Sequence, residues 1–303
     1  MKKTLLTTYS LQAVLLLAIM AVWQVQPVFS APGQTAQQPN PDSLALENAD
    51  WQILYTADGI ELKTVNCTMF GAAQNISVLA INPKYANMAV AVTDTLTTTS
   101  RMAMAHNADF AVNGSFFDFA GPALTFVKTH HTTRGNAAPE QRHRKNWGVF
   151  AVKGSGIGIT QVSLDKMEDI SRKYTYVMAS YPMLLAGGRN ILCQIDSVPS
   201  KFNNRNPRSL IGKTREGVIY IVTIDGRAEG KAAGMTLAEE CLTAKWLGLY
   251  CALNLDGGGS TTLWARQLGI INCPSDNKRF DHDGERRVSN IIYSSFGFRF
   301  QAV

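Results

Sequence analysis

The sequence has few cysteines and histidines, and none is spaced for metal binding. No CxxC pair occurs, and the five histidines include the adjacent pair His130–His131 but no HExxH motif. We therefore expect no zinc site and no cofactor, while a divalent-metal requirement stays open. We expect the cysteines to be buried thiols, of which two can form one disulfide, although the sequence does not define the pairing. They are Cys67, Cys193, Cys241, Cys251 and Cys273.

The chain also lacks a strong net charge and an apolar run long enough for a stable membrane span. Its formal charge of +6 includes Lys2 and Lys3, and so small an excess does not indicate nucleic-acid binding. These lysines, the apolar stretch Leu11–Val25 and the small residues Val28 and Ser30 form the three regions of a secretory signal peptide. We expect cleavage after Ser30 and export to the periplasm or the medium, without a span in the mature protein.

What remains predicts one β-rich domain. Residues 31–50 are rich in polar residues and proline and are expected to be a disordered linker, which leaves 51–303 as the domain. Strand-like runs cover 59–65, 76–81, 147–152, 174–178 and 218–224. Helices are expected over 97–107 and 234–248, the second with a capping box of Thr236 and Glu239. The predicted class is α+β, with a mixed β-sheet core, a few helices and strand-end loops that form one cleft.

Three apolar runs end in an acid or amide followed by glycine. They are "ADFAVNG" ending at Asn113, "VIYIVTIDGR" ending at Asp225, and "LYCALNLDGGG" ending at Asp256. In the last run, period-two alternation places Asn254 and Asp256 on one face. Each segment alone is compatible with a turn. Three in one domain favour a shared polar cleft.

Familiar catalytic loops are absent from these segments. Around Ser260 the pattern G-x-S-x-G fails, because Thr262 stands at the second glycine position. The glycines of "DGGGSTT" are not followed by lysine, which excludes a P-loop. The remaining carboxylates, arginines and glycine-rich backbone suit a sugar phosphate, because arginines and loop amides bind phosphate and a carboxylate serves glycosidic cleavage.

Seven segments, in order from Asn113 to Asn290, resemble the phosphodiester glycosidase family. They are "NGSFFD", "YPMLLAGG", "RNPRSLIGKTREG", "VTIDGR", "GMTLAEECLTAKWLG", "LNLDGGGSTTLW" and "NCPSD" with "GERRVSN". The resemblance implies hydrolysis of a sugar-1-phosphodiester, for example of N-acetylglucosamine, to free sugar and phosphomonoester. Cell-envelope or extracellular glycans are the expected source of this phosphorylated saccharide.

The resemblance also implies a set of site residues. They are Asn113, Arg208, Asp225, Arg227, Asn254, Asp256, Gly257, Gly258, Gly259, Ser260, Thr261 and Asn290. We predict that Asp256 acts at the anomeric carbon, with Asp225 as the second catalytic candidate. Arg208 and Arg227 are expected to hold the phosphate together with the glycine amides. Asn113 and Asn254 are expected to bind sugar hydroxyls.

Other interpretations stay open at this point. Asp225 and Asp256 are both compatible with turn-capping roles. A polar, basic insert, Lys128–Asn146, is expected to be a loop over the site or at its rim. A non-catalytic module that binds surface polysaccharides would share the fold and tolerate loss of Asp256, and an envelope-assembly role would show no dependence on saccharide.

Overall fold

Four α-helices and eighteen strands make up the part of the chain that the computed structural model describes, residues 40–135, 146–192 and 203–296. The predicted signal peptide and residues 31–39 lie outside that part. The helices are α1 (Pro41–Glu47), α2 (Thr99–Ala105), α3 (Met167–Lys173) and α4 (Leu237–Trp246). The strands are β1 (Gln52–Ala57), β2 (Ile60–Met69), β3 (Ala72–Ile81), β4 (Ala86–Thr98), β5 (Phe110–Asn113), β6 (Val127–Lys128), β7 (Thr133–Arg134), β8 (Trp147–Lys153), β9 (Gly156–Val162), β10 (Tyr176–Ser180), β11 (Met183–Ala186), β12 (Arg189–Asn190), β13 (Arg208–Thr214), β14 (Ile219–Ile224), β15 (Leu249–Asn254), β16 (Leu263–Ala265), β17 (Gly269–Ile270) and β18 (Arg287–Phe296).

The strands form three sheets. An eight-stranded sheet has the order β1-β2-β3-β14-β13-β15-β11-β12, and two five-stranded sheets have the orders β7-β6-β10-β8-β9 and β17-β16-β5-β18-β4. The β-rich α+β class is confirmed. The sequence predicted a mixed sheet, whereas every pairing between the described strands is antiparallel. Many neighbouring strands follow one another through short turns, a connection that only antiparallel pairs allow.

The eight-stranded sheet is buried on both faces. On β3, Leu79 and Ile81 belong to one hydrophobic cluster, while Ile76 and Val78 belong to a second cluster. Helix α4 contributes Leu237 to the second cluster. Burial on both faces explains why the central strands read as nearly continuous apolar runs rather than as alternating patterns.

The disordered linker predicted over residues 31–50 is wrong for its second half, where helix α1 forms. Asn40 caps this helix by accepting a hydrogen bond from the Asp42 N–H, and a proline occupies its first turn. Leu46 is buried in the second hydrophobic cluster. Asp42 accepts a hydrogen bond from Phe70 N at 2.7 Å. The composition is polar, but the cap and one apolar anchor fix the segment to the domain.

The predicted capping box forms at the start of α4. Thr236 Oγ1 accepts from Glu239 N at 3.2 Å, and Glu239 Oε2 accepts from Thr236 N at 2.8 Å. Glu239 also pairs with Arg205 at 2.6 Å. Glu239 therefore has the structural role that the sequence pattern indicated.

The insert predicted as a loop over Lys128–Asn146 contains a short hairpin. Strands β6 and β7 pair with each other, and β6 continues the sheet through β10. Residues 136–145 of the insert lie outside the described part of the chain. Three cysteines are free thiols: Cys67, Cys251 and Cys273. The Sγ of Cys241 donates to Leu184 O at 3.4 Å, and Cys193 lies outside the described residues. Within the described ranges, no helix is both long and apolar enough to cross a membrane.

Candidate functional site

Asn113 joins the strand ends at which the site lies. Its Oδ1 accepts from Ser209 Oγ at 2.7 Å and from Thr262 N at 3.1 Å. Its Nδ2 donates to Asp256 O at 2.6 Å. Because β5 and β13 belong to different sheets, this amide connects them. Asn113 is fully buried, so the sugar-binding role predicted for it is replaced by a positioning role.

Asp225 is also buried beneath the site rather than exposed in it. Its Oδ1 accepts from Asn272 Nδ2 at 2.9 Å and its Oδ2 from Cys273 N at 2.9 Å. Burial raises the pKa of Asp225 to about 7, against the opposing effect of these hydrogen bonds. Asn272 in turn donates to Thr261 O at 3.1 Å. Asp225 is therefore connected to the glycine loop through Asn272, and its catalytic role stays a prediction.

The glycine loop, Gly257–Gly259, is shaped by groups of the protein that pack against it. A β-carbon at Gly257 would lie 2.6 Å from the carbonyl oxygen of Pro207. One at Gly258, where φ is +63°, would lie 2.9 Å from Nη2 of Arg227. One at Gly259 would overlap the carboxylate of Asp276. The three glycines are needed because backbone and side chains of neighbouring segments approach this closely.

Several amides of the glycine loop and of the turn after it bond within the protein, and their role as a phosphate cradle stays a prediction. Gly258 N donates to Pro207 O at 2.8 Å, and Gly257 N donates to Asp256 Oδ1 at 3.1 Å. The loop continues as a 3-10 turn over Gly258–Ser260, in which Ser260 N and Thr261 N donate to carbonyls of the preceding glycines. These internal bonds occupy the N–H groups of Gly257, Gly258, Ser260 and Thr261.

Arg227 extends over this loop. Its side chain is exposed, and its φ of +62° turns the chain sharply after Asp225. Nη2 donates to Asn206 Oδ1 at 2.9 Å, and Nη1 lies 3.5 Å from Ser275 Oγ. The guanidinium is thereby held against Gly258 while the residue stays open to solvent. The position fits the predicted phosphate-binding role.

A second arginine, Arg286, stands beside the same loop. Its Nε and Nη2 donate to Asp276 at 2.8 and 2.5 Å, a bidentate pair. The guanidinium also lies 5.4 Å from the ring centroid of Phe119. Its pKa is raised mainly by the hydrogen bond to Asp276, with a smaller contribution from the charge of Asp256. The guanidinium of Arg286 therefore packs against Gly259, and its charge interacts with the carboxylate of Asp256.

Asp256 is the partly exposed carboxylate of the site. Its N–H donates to Gly114 O at 3.0 Å, where the chain leaves the eight-stranded sheet. Its carbonyl accepts from Asn113, so backbone bonds fix the residue on both sides. Strand β15 ends at Asn254, and the alternation expected to place Asn254 and Asp256 on one face does not continue through the loop. Asp256 is thus held rigidly beside the glycines, with its side chain only half-buried.

Arg208 lies behind the glycine loop, where a β-carbon on Gly257 would come 3.7 Å from its Cα, and its side chain is buried. It is 3% exposed, and its guanidinium donates to Met235 O at 2.7 Å and to Asn204 O at 3.1 Å. Burial lowers its pKa, while the charge of Glu240 acts in the opposite direction. The guanidinium of Arg208 is bound to backbone carbonyls in the described structure, and its phosphate-binding role stays a prediction.

The remaining predicted residues are buried parts of the frame. Asn254 Nδ2 donates to Tyr181 O at 2.7 Å and the residue is 1% exposed, so its role at a sugar hydroxyl stays a prediction. Asn290 accepts from Ser115 N at 2.7 Å, and a β-carbon at Gly114 would overlap its Oδ1. Ser260 and Thr261 are also fully buried. None of these four side chains is placed to touch a ligand from solvent.

Together, the exposed and half-buried groups make a small polar site, which we call the glycine-loop site. It consists of Asp256, the glycine loop, Arg227, Arg286 and Asp276. Two guanidinium groups beside a carboxylate can hold an anion while the carboxylate addresses a neighbouring atom. Among the described residues, no group of three or more His, Cys, Asp or Glu side chains is placed to hold a metal ion.

Sequence reasoning missed Arg286, Asp276 and Asn272. All three lie in the segment 272–290, which contributes to the family resemblance. The signal available was an acid and an arginine in one glycine-containing segment. Asp276 and Arg286 face Gly259 because distant segments pack together. The sequence does not show this packing.

Comparison with known proteins identifies the fold. The family model of the phosphodiester glycosidases matches residues 106–294. The structure is similar to that of an uncharacterised Synechocystis protein (TM-score 0.59, 17% identity), with 81% of this chain and 63% of that chain covered. The catalytic domain of zebrafish N-acetylglucosamine-1-phosphodiester α-N-acetylglucosaminidase, auto-inhibited by its pro-peptide, is similar too (TM-score 0.58, 17% identity, 83% of each chain).

These structural likenesses establish a shared fold, and no curated protein matches the chain. The chain spans less than two thirds of the Synechocystis protein, 63% of its length. The family match extends from the end of α2 to the last strand and contains every group of the glycine-loop site. On this match, the chain belongs to the phosphodiester glycosidase family.

Proposed function

We propose that this protein is an exported hydrolase that cleaves sugar-1-phosphodiesters of cell-envelope or extracellular glycans, for example an N-acetylglucosamine-1-phosphodiester. The products are the free sugar and a phosphomonoester. The observation that carries the proposal is the half-buried carboxylate of Asp256 beside two guanidinium groups. The family match supports the reaction class, and the substrate is our inference from the chemistry of the site.

The reaction needs a group that stabilises positive charge at the anomeric carbon. Cleavage breaks the bond between this carbon and the phosphate oxygen, and water supplies a hydroxyl to the carbon and a proton to solution. The transition state resembles an oxocarbenium ion, which a carboxylate stabilises, attacks or serves by activating water. Asp256 is the half-buried carboxylate that backbone bonds hold rigidly at the loop, so we assign it this role.

The phosphate needs cationic partners at the same place. Arg227 lies against Gly258, and Arg286 is oriented by Asp276 against Gly259. A phosphodiester bound between them would be neutralised, and its phosphomonoester product would be stabilised as a leaving group. Because phosphate is a good leaving group, the reaction has little need for a strong general acid.

Replacing Asp256 with asparagine tests the proposal. Asn keeps the shape of the side chain but removes the charge that stabilises the transition state. We expect D256N to remain folded and to bind substrate, while turnover falls by about two to three powers of ten. The measurements are a melting curve, a substrate titration, and a reducing-sugar assay on N-acetylglucosamine-1-phosphodiesters.

The matched control is D118N, since Asp118 is an exposed aspartate in a turn outside the glycine-loop site. Its turnover should equal that of the wild type. Wild-type turnover in D256N would refute the catalytic assignment. Saccharide binding without any hydrolysis by the wild type would instead identify a polysaccharide-binding module of the same fold.

A further inference from the structure

A pocket lies along two segments that also build the glycine-loop site, and it takes no part in the proposed chemistry there. Its volume is about 350 Å³, within the usual range for pockets that bind small molecules. Strands β2 and β3 form one wall, and two loops form the other. The lining residues are Asn66, Cys67, Thr68, Ala73, Gln74, Gly230, Lys231 and Phe280.

The two loops that line this pocket are continuations of segments that build the glycine-loop site. One segment runs from Asp225 through Arg227 to Lys231, and the other runs from Cys273 to Arg286 through Phe280. They touch successively along their length. Asp225 accepts from Cys273 N, Arg227 reaches Ser275 Oγ, and Lys231 Nζ lies 5.6 Å from the ring centroid of Phe280. The pocket is therefore the outward extension of the place where Arg227 stands.

The walls of the pocket are held by backbone bonds. Asp225 N donates to Asn75 O at 2.9 Å, and Ala233 N donates to Ala73 O at 2.9 Å. Between these two anchors the loop closes a tight turn, in which Ala232 N donates to Ala228 O at 2.8 Å. The loop that carries Lys231 is thus fixed to β3 at both ends. A pocket with such walls exists before a ligand binds.

The chemistry of the lining selects a charged, hydroxylated ligand. Lys231 supplies the charge, and among the described lining residues it is the single charged side chain. Phe280 supplies an aromatic ring of the kind on which the apolar face of a sugar stacks. Asn66 and Thr68 are exposed polar residues of β2 that can bond hydroxyl groups. A negatively charged saccharide satisfies all three kinds of group.

We propose that this pocket binds the alcohol half of the phosphodiester, and that this half is a saccharide carrying negative charge. The inference rests on the proposed function, since it takes the phosphate to lie at Arg227. The sugar that is released would then lie on the side of Asp256. The alcohol that remains on the phosphate would extend along the two loops to Lys231 and Phe280.

Three substrates with the same N-acetylglucosamine-1-phosphate half separate the contribution of the sugar ring from that of its negative charge. The phosphate is joined to methanol, to the 4-hydroxyl of methyl glucoside, or to the 4-hydroxyl of methyl glucuronide. We expect kcat/KM to rise in that order, with about a tenfold gain for the carboxylate. K231A should reduce kcat/KM for the glucuronide ester to the value for the glucoside ester. F280A should reduce kcat/KM for both saccharide esters towards the value for the methanol ester. The value for the methanol ester should stay unchanged in both variants.

K153A provides the matched control, because Lys153 is an exposed lysine at the end of β8 that does not line the pocket. Melting curves check that every variant is folded. Equal kcat/KM for the three esters, or unchanged preferences in both K231A and F280A, would overturn the proposal.

A binding measurement keeps this result separate from the proposed function. The phosphomonoester of methyl glucuronide and methyl phosphate are titrated into the wild type and into K231A. Tighter binding of the glucuronide phosphate, lost in K231A, supports the pocket even where no ester is hydrolysed, in which case the hydrolase proposal alone fails. Equal affinity of the two phosphates for the wild type overturns the pocket proposal.

Discussion

At the scale of single residues, Gly258 and Gly154 share a left-handed backbone but differ in their surroundings. Their φ angles are +63° and +58°. A β-carbon at Gly258 would meet Arg227, whereas one at Gly154 would meet nothing within 4 Å. The two positions therefore separate the cost of backbone strain from the cost of displacing a guanidinium.

We expect G258A and G154A to lose similar amounts of stability, about 1 kcal/mol each, because alanine is strained in the left-handed region. G258A should in addition weaken binding of a phosphodiester, because its β-carbon pushes Arg227 away from the loop. Melting curves and ligand titrations of both variants make the comparison. Equal affinity in the two variants would show that Arg227 does not hold the phosphate.

The residues predicted from sequence lie at the glycine-loop site where neighbours in the chain decide their position, while their roles stay predictions. Asp256 and Arg227 follow directly from loops whose residues are adjacent in the chain. Asp225 has the same local pattern as Asp256, yet Asn272 and Cys273 cover it, and these lie 47 and 48 positions further along. Burial by a distant segment cannot be read from a strand-end motif, so the two carboxylates looked equivalent.

At the scale of elements, the site depends on the hydrogen bonds by which Asn113 connects two sheets, which we call the joint at Asn113. Asn113 ends a strand of one sheet and bonds a serine of another, and it also holds the backbone on both sides of the glycine loop. Three hydrogen bonds at a fully buried position have no water to replace them when the amide is lost.

We expect N113A to lower the free energy of unfolding by about 3 kcal/mol or more, because it leaves buried partners unsatisfied. N75A is the control, since its amide donates to Asn66 Oδ1 at an exposed pair and should cost about 1 kcal/mol or less. Urea denaturation of both variants measures the difference. A loss in N113A no larger than that in N75A would contradict the joint described above.

Local signals predicted part of the elements. The runs 76–81 and 147–152 fall on β3 and β8, and the capping box of Thr236 and Glu239 marks α4. Helix α1 was missed because its stability comes from the burial of Leu46 against the domain, not from its own composition. The division into three sheets was also not predictable, because strand partners are chosen by packing rather than by local pattern.

At the scale of the whole molecule, two buried carboxyl groups make stability depend on pH. Burial raises the pKa of Asp225 to about 7 and that of Glu240 to about 8, the latter against the opposing charge of Arg208. The folded protein therefore keeps these protons to a higher pH than the unfolded chain does. Their contribution to stability is complete at low pH and is lost as the pH rises through about 7 to 8.

We expect these two carboxyl groups to lower the melting temperature as the pH rises from about 5 to about 8. We expect E240Q to flatten this part of the curve. The slope is the readout, because removing the charge beside Arg208 shifts the absolute stability as well. E168Q, at an exposed residue of α3, is the control and should keep the wild-type slope. Identical slopes in wild type and E240Q would show that Glu240 does not titrate in this range.

The joint at Asn113 also has a consequence for how the chain folds. Its side-chain amide forms hydrogen bonds with Asp256 and Thr262, which follow Asn113 by 143 and 149 positions in the chain. Contacts of such long range form slowly, because most of the intervening chain must be ordered before they are gained. A nascent chain cannot assemble the glycine-loop site before Arg286 has been synthesised, so ligand binding there selects chains that have been translated and folded at least to this residue.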